Sequence, residues 1–446
     1  MQPPNAALDD LTPQTRRDAL VRLLAAALPL DDARSPVQRS LNLHCHTIYS
    51  YNGYGYAPSS LAWLARSQGW YALGTVDFDV LDGVDETLWA CDQVGVRGAA
   101  GIETRAYLPD RPHLTYNSPG EPGVMYYVGM GFGTSEPPAA ARPVLEDLRA
   151  RAEARNREMA ALLNGYLAPV VVDYDLDVVP LTPSGNATER HLLIAYDAAA
   201  RRHFSQRTAL VGYWAAKLGM TPDAVDAFLG DAPHPHDAIR AKLMKQGGVG
   251  YMAPGPDSFP PLDTVIAAIA ACGALPCYAF LDGLSDGEAD MAALLEYLVM
   301  RGTLGLVAIP DRNWNVGDLA RQRTLVGRLH ATLDLAHDLG LPVFIGTEMN
   351  KPGQLRLDDL GVPALAPYAS QFVQGADLLH AHTVLQALHG AGYLSDWAQG
   401  WLPERRQRTA FYAALGNRLD PQTRDRWRLG DESLAAGPEA LLASNG

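Results

Sequence analysis

His44 and His46 stand one residue apart in the run Asn42-Leu43-His44-Cys45-His46-Thr47. On an extended strand, residues i and i+2 point to the same side. Two imidazoles on one face are half of a metal site. Leu41 and Leu43 precede the pair, and Ser50, Asn52, Gly53 and Gly55 follow it. That pattern places the pair at the C-terminal end of a strand, where α/β proteins carry their chemistry. Taken alone, the pair is equally readable as two satisfied histidines on a half-buried strand. Cys45 faces the other way on this reading and belongs to the core. Acidic residues recur just after later strand candidates, at Asp77, Glu103, Asp282, Asp311 and Glu348. Such residues also cap helices, but five of them with two histidines describe a polar site ringed by strand ends.

The elements that must position these residues alternate. Strand candidates are Leu41–His44, Trp70–Val76, Arg97–Ile102, Gly123–Gly129, Ala274–Leu281, Gly305–Ile309 and Pro342–Ile345. Helix candidates lie between them at Ser59–Gln68, Glu86–Val94, Pro143–Tyr166, Leu262–Ala271, Ala289–Met300 and Arg321–Leu339. Another helix begins near Arg190. This order predicts a mainly parallel sheet or barrel. Residues 351–372 are turn-rich, and 373–446 read as helical, with Trp397, Trp401 and Trp427 and a basic run at 404–408.

The chain has 446 residues, 48% hydrophobic and 19% charged, which is enough for a large core. An α/β barrel of about 250–350 residues with an extension accounts for it as well as two domains would. A net charge of −14 excludes a general nucleic-acid binder but leaves room for a local basic pocket. The four cysteines form no CxxC pair, so no disulfide framework is expected. The apolar stretch Ala19–Leu30 is broken by Arg22 and reads as an amphipathic helix after Thr12-Pro13, not as a signal peptide. No apolar run reaches the roughly 18 residues of a membrane span. A cytoplasmic protein is expected.

The order His44-x-His46-Thr47, Val76-Asp77-Phe78-Asp79 with Gly83, then Ala100-Gly101-Ile102-Glu103 resembles the PHP (polymerase and histidinol phosphatase) family of metal-dependent phosphoesterases. The resemblance runs on through Glu189-Arg190-His191, Gly247–Met252 and Ala279–Asp282 to Ile345-Gly346-Thr347-Glu348-Met349-Asn350, covering roughly residues 41–350. It departs from the family pattern where Phe78, Tyr127 and Phe280 replace histidines. It departs again at Tyr51-Asn52, where an acidic residue usually follows the serine, and at Thr347–Asn350, where the closing motif has changed.

The resemblance implies a distorted (β/α)7 TIM-like barrel over residues 41–355. A helical segment over 1–40 and a linker with a C-terminal helical extension over 356–446 flank it. It implies His44, His46, Glu103 and Glu348 as ligands of one divalent ion per chain (zinc, manganese or iron) in place of the family's three. Asp77 or His191 would take a proton from an activated water. Arg190, with Lys245 or Arg105, would meet the charge on a phosphate. Asp282, Asp311 and Asn313 are further substrate-binding candidates, polar groups that an apolar site would leave unpaired at a cost. The expected partner is a small phosphorylated or anionic molecule, with neither nucleic acid nor membrane. Two alternatives stand beside hydrolysis of a phosphate ester. One is a degenerate barrel that binds an anion or sugar phosphate. The other is a mononuclear enzyme acting on a non-phosphate bond, with Phe78 and Phe280 shaping its pocket.

Overall fold

The computed structural model describes residues 6–25, 38–230, 235–255, 257–422, 427 and 431–443. The expected N-terminal helix is present as α1 (Pro13–Leu24), with Pro13 in its first turn where a missing N–H costs nothing. The part of the Ala19–Leu30 stretch beyond Ala25 lies outside the described residues.

Seven strands form one sheet in chain order: β1 (Leu41–Cys45), β2 (Ala72–Phe78), β3 (Arg97–Tyr107), β4 (Val124–Met130), β5 (Leu275–Phe280), β6 (Gly305–Ala308) and β7 (Val343–Ile345). All neighbours are parallel except β4, which runs antiparallel to both β3 and β5. The sheet curls into a nearly closed barrel. Its seam is made through Glu348, whose N–H donates to His44 O at 2.8 Å and whose carbonyl accepts from His46 N at 2.8 Å. Glu348 and Met349 adopt positive φ of 62° and 56° there, a left-handed conformation uncommon for non-glycine residues. Strand β3 outruns its sequence reading. It continues past Glu103 to Tyr107 because β4 pairs with it residue by residue from Gly101–Met130 to Tyr107–Val124. Glu103 is therefore held mid-strand, not at a strand end.

Helices α2 (Pro58–Gln68) and α3 (Val84–Val94) connect the first three strands, and α2 ends on Gly69 at φ 65°. Cys45 packs with Leu61, Ala62, Leu73 and Cys91 under these helices, on the face away from the histidines. Between β4 and β5 the chain leaves the barrel. Helix α4 (Arg142–Leu167) is followed by α5 (Glu189–His203), α6 (Arg207–Leu218), α7 (Pro222–Gly230) and α8 (Pro235–Leu243). These helices enclose a second apolar core around Leu163, Leu192, Tyr196, Trp214 and Val225. The first half of α4 packs Leu145 and Leu148 on the barrel core, and its second half packs Met159, Leu163 and Leu167 in the insertion core. The insertion is thus a cap joined to the barrel by one continuous helix.

The chain returns through α9 (Leu262–Ala271), α10 (Met291–Met300), the single turn α11 (Asp311–Trp314) and α12 (Leu319–Asp338). After β7, α13 (Ala369–His389) is buried for most of its length and packs against β3 and β7, with α15 (Arg405–Arg418) beyond the short α14 (Asp396–Trp401). Phe372, Leu378 and Leu385 belong to the same apolar core as the barrel strands. His382 on α13 is neutral. Its Nδ1 accepts from Tyr393 N at 2.9 Å, its Nε2 lies 3.0 Å from Gly131 O, and burial lowers its pKa to about 4. Among the described residues no helix is long and apolar enough to cross a membrane.

Candidate metal centre and cation-lined cavity

The two histidines do share a face. His44 Nε2 lies 3.3 Å from Glu103 Oε2, and His46 Nε2 lies 3.0 Å from the same oxygen. All three residues are buried, and their candidate ligand atoms lie within 4.8 Å of one another. Burial works against ionising Glu103, but the two imidazoles, when protonated, outweigh it and hold the carboxyl at about 2, and Glu103 in turn raises the His46 pKa against burial.

Behind His46 runs a polar chain. Ser50 Oγ donates to Asp77 Oδ1 at 2.6 Å, which leaves Ser50 to accept from His46 Nδ1 at 3.2 Å. This network places the imidazole proton on Nδ1. The Nε2 lone pair then faces a carboxylate oxygen, an unfavourable arrangement unless a proton or a cation stands between them. The 3.0 Å contact has no hydrogen-bond alignment, and both His46 Nε2 and His44 Nδ1 are buried nitrogens without a hydrogen-bond partner. Such orphans cost about 1–3 kcal/mol each in an unliganded core. Two neutral imidazoles and one carboxylate are a donor set that suits zinc, manganese or iron(II) and leaves positions open. The Ser50–Asp77 chain supplies the outer support that metal-binding histidines use. The residues fit a divalent ion.

Glu348, the fourth expected ligand, does not complete this group. Its carboxylate accepts from Arg312 Nη2 at 2.6 Å and from Gln354 Nε2 at 3.2 Å. The positive φ at the barrel seam turns the side chain toward α11. Asp77 is likewise engaged: beyond Ser50 it accepts from Thr47 N at 2.8 Å and Thr47 Oγ1 at 2.7 Å. Burial raises its pKa, and its oxygens brace the turn that carries His46. His191 closes a capping box, its Nδ1 accepting from Thr188 N at 3.0 Å. Burial drops its pKa to about 4, and Tyr51 packs edge-on against it. A neutral, cap-engaged imidazole is poorly placed to store a proton at neutral pH.

Glu103 of the triad lines a cavity of about 630 Å³ between barrel and cap. Its lining includes Glu103 and Glu348, and the cations Arg105, Arg155, Arg190, Arg240, Lys245, Arg312 and Lys351. Arg105 donates to Glu121 at 2.9 and 3.1 Å, and Arg190 is paired with Asp237. Arg240 and Lys245 converge on Glu189 at 2.7 and 3.1 Å. Burial disfavours the Glu189 anion, but Arg240, Lys245 and Arg105 overcome it and hold the carboxyl at about 2. Of the expected anion contacts, Arg105, Arg190 and Lys245 are therefore brought to one cavity.

Asp282, Asp311 and Asn313 are not on the cavity wall. Asp282 accepts from Leu284 N at 3.1 Å in a local turn, and Asn313 Nδ2 ties Leu281 O to Ile309 O at 2.9 and 3.2 Å. Asp311 Oδ1 is buried without a partner, and burial together with Glu348 lifts its pKa to about 7. A carboxyl raised above its unfolded value of 3.8 costs nothing while protonated in both states. It destabilises the fold progressively as pH rises from about 4 to about 7. Asp311→Asn is expected to match wild type in urea melts below pH 4 and to exceed it in stability above pH 7. Parallel stability curves across that range would refute the assignment.

The aromatic substitutions are resolved by strand facing. Phe78 lines the cavity and stacks on His46 with centroids 4.3 Å apart. On β4 it is Tyr126 that faces the cavity, while the Tyr127 hydroxyl meets Thr303 Oγ1 at 2.7 Å on the other side. Phe280 is fully buried in the barrel core, so it does not shape the pocket as expected. The sequence reading passed over Arg155 and Arg240, and it gave Arg312, Glu121 and Glu189 no individual role although each lies in a run it noted. None has a local signature: Arg155, for example, is one of five arginines in α4 after Arg142 and Arg149 are joined by Arg151 and Arg157.

No family model matches the chain, and no curated protein matches it. Two solved structures are similar in chain path. An amidohydrolase from Chromobacterium violaceum, with bound sulfate and no metal, has 16% identity and a TM-score of 0.48, covering 74% of this chain and 96% of that one. A proposed metal-dependent phosphoesterase from Bifidobacterium adolescentis has 18% identity and a TM-score of 0.44, covering 75% and 96%. At these values the likeness adds nothing to the reading of the site.

Proposed function

We propose that this chain is a metal-dependent hydrolase acting on a small anionic substrate, with a phosphate ester as the substrate class. One observation carries the reading: a buried two-histidine, one-carboxylate group with unpartnered nitrogens shares its Glu103 with the wall of a cavity lined by arginine and lysine. A divalent ion bound by His44, His46 and Glu103 would act as a Lewis acid and bring the pKa of a bound water to near neutrality. Asp77 and Ser50 hold His46 in the tautomer that turns Nε2 toward that ion. Arg312, whose charge is felt by Glu103, stands beside the triad to meet charge developing on phosphate oxygens. Arg190 and Lys245 bind the substrate from the cap side, where bidentate guanidinium contacts suit phosphate. Asp77 and His191 orient the site in this scheme and do not carry the proton.

A binding module is the second reading. Phe78 favours it, because it sets an apolar ring against His46 where a further polar group would serve catalysis. The test begins with chelator-treated protein reloaded separately with Zn²⁺, Mn²⁺ or Fe²⁺ and offered a panel of phosphomonoesters. Turnover with at least one ion, abolished by EDTA, is expected. Tight binding of phosphate esters without turnover under any ion would select the binding module instead.

A further inference from the structure

Glu103 and Arg105 are two residues apart on β3, so they point to the same side with their Cα atoms about 7 Å apart. Glu103 serves the triad. Arg105 turns to Glu121 and lays its guanidinium over Phe259, 4.3 Å from the ring centroid. A second guanidinium arrives on the same ring from the cap: Arg155 lies 4.6 Å from the Phe259 centroid. Arg155 sits at the midpoint of α4, on the face shared with Ala152, Asn156 and Met159, and all four line the cavity.

The pairing is lopsided. Arg105 has a carboxylate at 2.9 Å, but Asp79 stands 3.9 Å from Arg155, whose Nη1 donates to Ser258 O at 3.3 Å. Burial and the neighbouring Arg105 depress the Arg155 pKa to about 10, the sign of a cation held beside a like charge with too little anion. Asp79 itself is kept at a positive φ of 61° and receives Thr104 Oγ1 at 2.6 Å. Two like charges stacked on one ring and facing a cavity form a receptor for an oxyanion. Such a receptor is separate from the triad, because Glu121 and Phe259 direct Arg105 away from Glu103.

We propose that Arg155 of the cap and Arg105 of the barrel bind a second anionic group of the substrate, one that is remote from the bond cleaved at the triad. The inference rests on the hydrolase reading for what happens at the triad, and it deepens that reading. The substrate carries two oxyanions, a scissile one at His44, His46 and Glu103 and a permanent one at the guanidinium pair. The barrel supplies the chemistry and the cap reads the remote group. Carboxylate and phosphate share the chemistry that two guanidiniums recognise.

The test is calorimetric titration of zinc-loaded protein with phenylphosphonate, 4-carboxyphenylphosphonate and 1,4-phenylenebisphosphonate, none of which can be hydrolysed at the phosphorus–carbon bond. Wild type is expected to bind at least one of the two doubly charged probes about tenfold or more tighter than phenylphosphonate, a gain typical of charge-assisted hydrogen bonds. Whichever probe gains more identifies the remote group as carboxylate or phosphate. Arg155→Met is expected to reduce that advantage to less than about twofold, and Arg155→Lys to retain part of it. Equal affinity for all three probes in wild type, absence of binding by the doubly charged probes, or an advantage that survives in a folded Arg155→Met protein would each overturn the proposal. Failure of the hydrolase reading is read separately, as no turnover of the phosphomonoester panel with any ion while the probe preference and its dependence on Arg155 persist.

Discussion

Replacing His44 and His46 together by alanine is expected to reduce bound metal from about one ion per chain to none, measured by mass spectrometry of purified protein. Phosphomonoester turnover should fall by about three orders of magnitude or more, because water without a metal keeps its ordinary pKa near 15.7. The structure explains why both histidines matter. Each brings a buried Nε2 within 3.3 Å of one carboxylate oxygen, and the buried His46 Nε2 and His44 Nδ1 have no hydrogen-bond partner. Removing the rings also leaves buried Glu103 without its partners and opens space in the core, so apo stability should fall as metal affinity disappears, and metal content is compared on protein shown to be folded. A double variant that still bound one ion tightly would place the metal elsewhere. Wild type that bound no ion after incubation with Zn²⁺, Mn²⁺ and Fe²⁺ would end the hydrolase reading.

The second large effect is on stability, at a point that also supports the site. Arg16 on α1 is fully buried, and Glu86 in the first turn of α3 is 4% exposed. Arg16 Nε donates to Glu86 Oε1 at 2.8 Å, and its Nη2 is bonded to Glu86 Oε2 and to the Tyr49 hydroxyl. Ser59 Oγ also donates to Glu86 Oε1 at 2.8 Å. Glu86 is thus the shared acceptor that joins α1, α2, α3 and the loop following His46. Glu86→Ala leaves a buried guanidinium without its counter-charge and is expected to cost about 3–5 kcal/mol in urea unfolding. A double change, Arg16→Met with Glu86→Leu, should recover most of that loss, because it removes the charge with its partner. A loss of less than about 1 kcal/mol for Glu86→Ala would mean that water reaches Arg16.

The alternation of strands and helices was legible in the sequence because its signals are local. Short apolar runs alternating with amphipathic helices require a mainly parallel sheet, and the observed strands depart from their expected ends by one or two residues, except β3, which runs five residues further. His44-x-His46 was legible for the same reason: strand periodicity alone puts both rings on one face. Glu103 followed from its place in the third strand, although its setting in mid-strand depends on β4 pairing alongside it.

The rest depends on contacts between residues far apart in the chain. Periodicity could not say that Tyr126 rather than Tyr127 faces the cavity, since that follows from how β4 is set between β3 and β5. Nor could it say that Glu348 turns to Arg312, which follows from a positive φ at the barrel seam. Arg155 carried no local mark of its setting, which came from α4 bringing it onto Phe259, the ring that Arg105 also covers. The sequence by itself determined the strands and the facing of the two histidines, because each is set by backbone periodicity over a few residues, and it left open whether the strands form a sheet or a barrel. Only the tertiary structure decided which acids and cations meet around them, because a side chain's charge partner is chosen by packing across the whole chain.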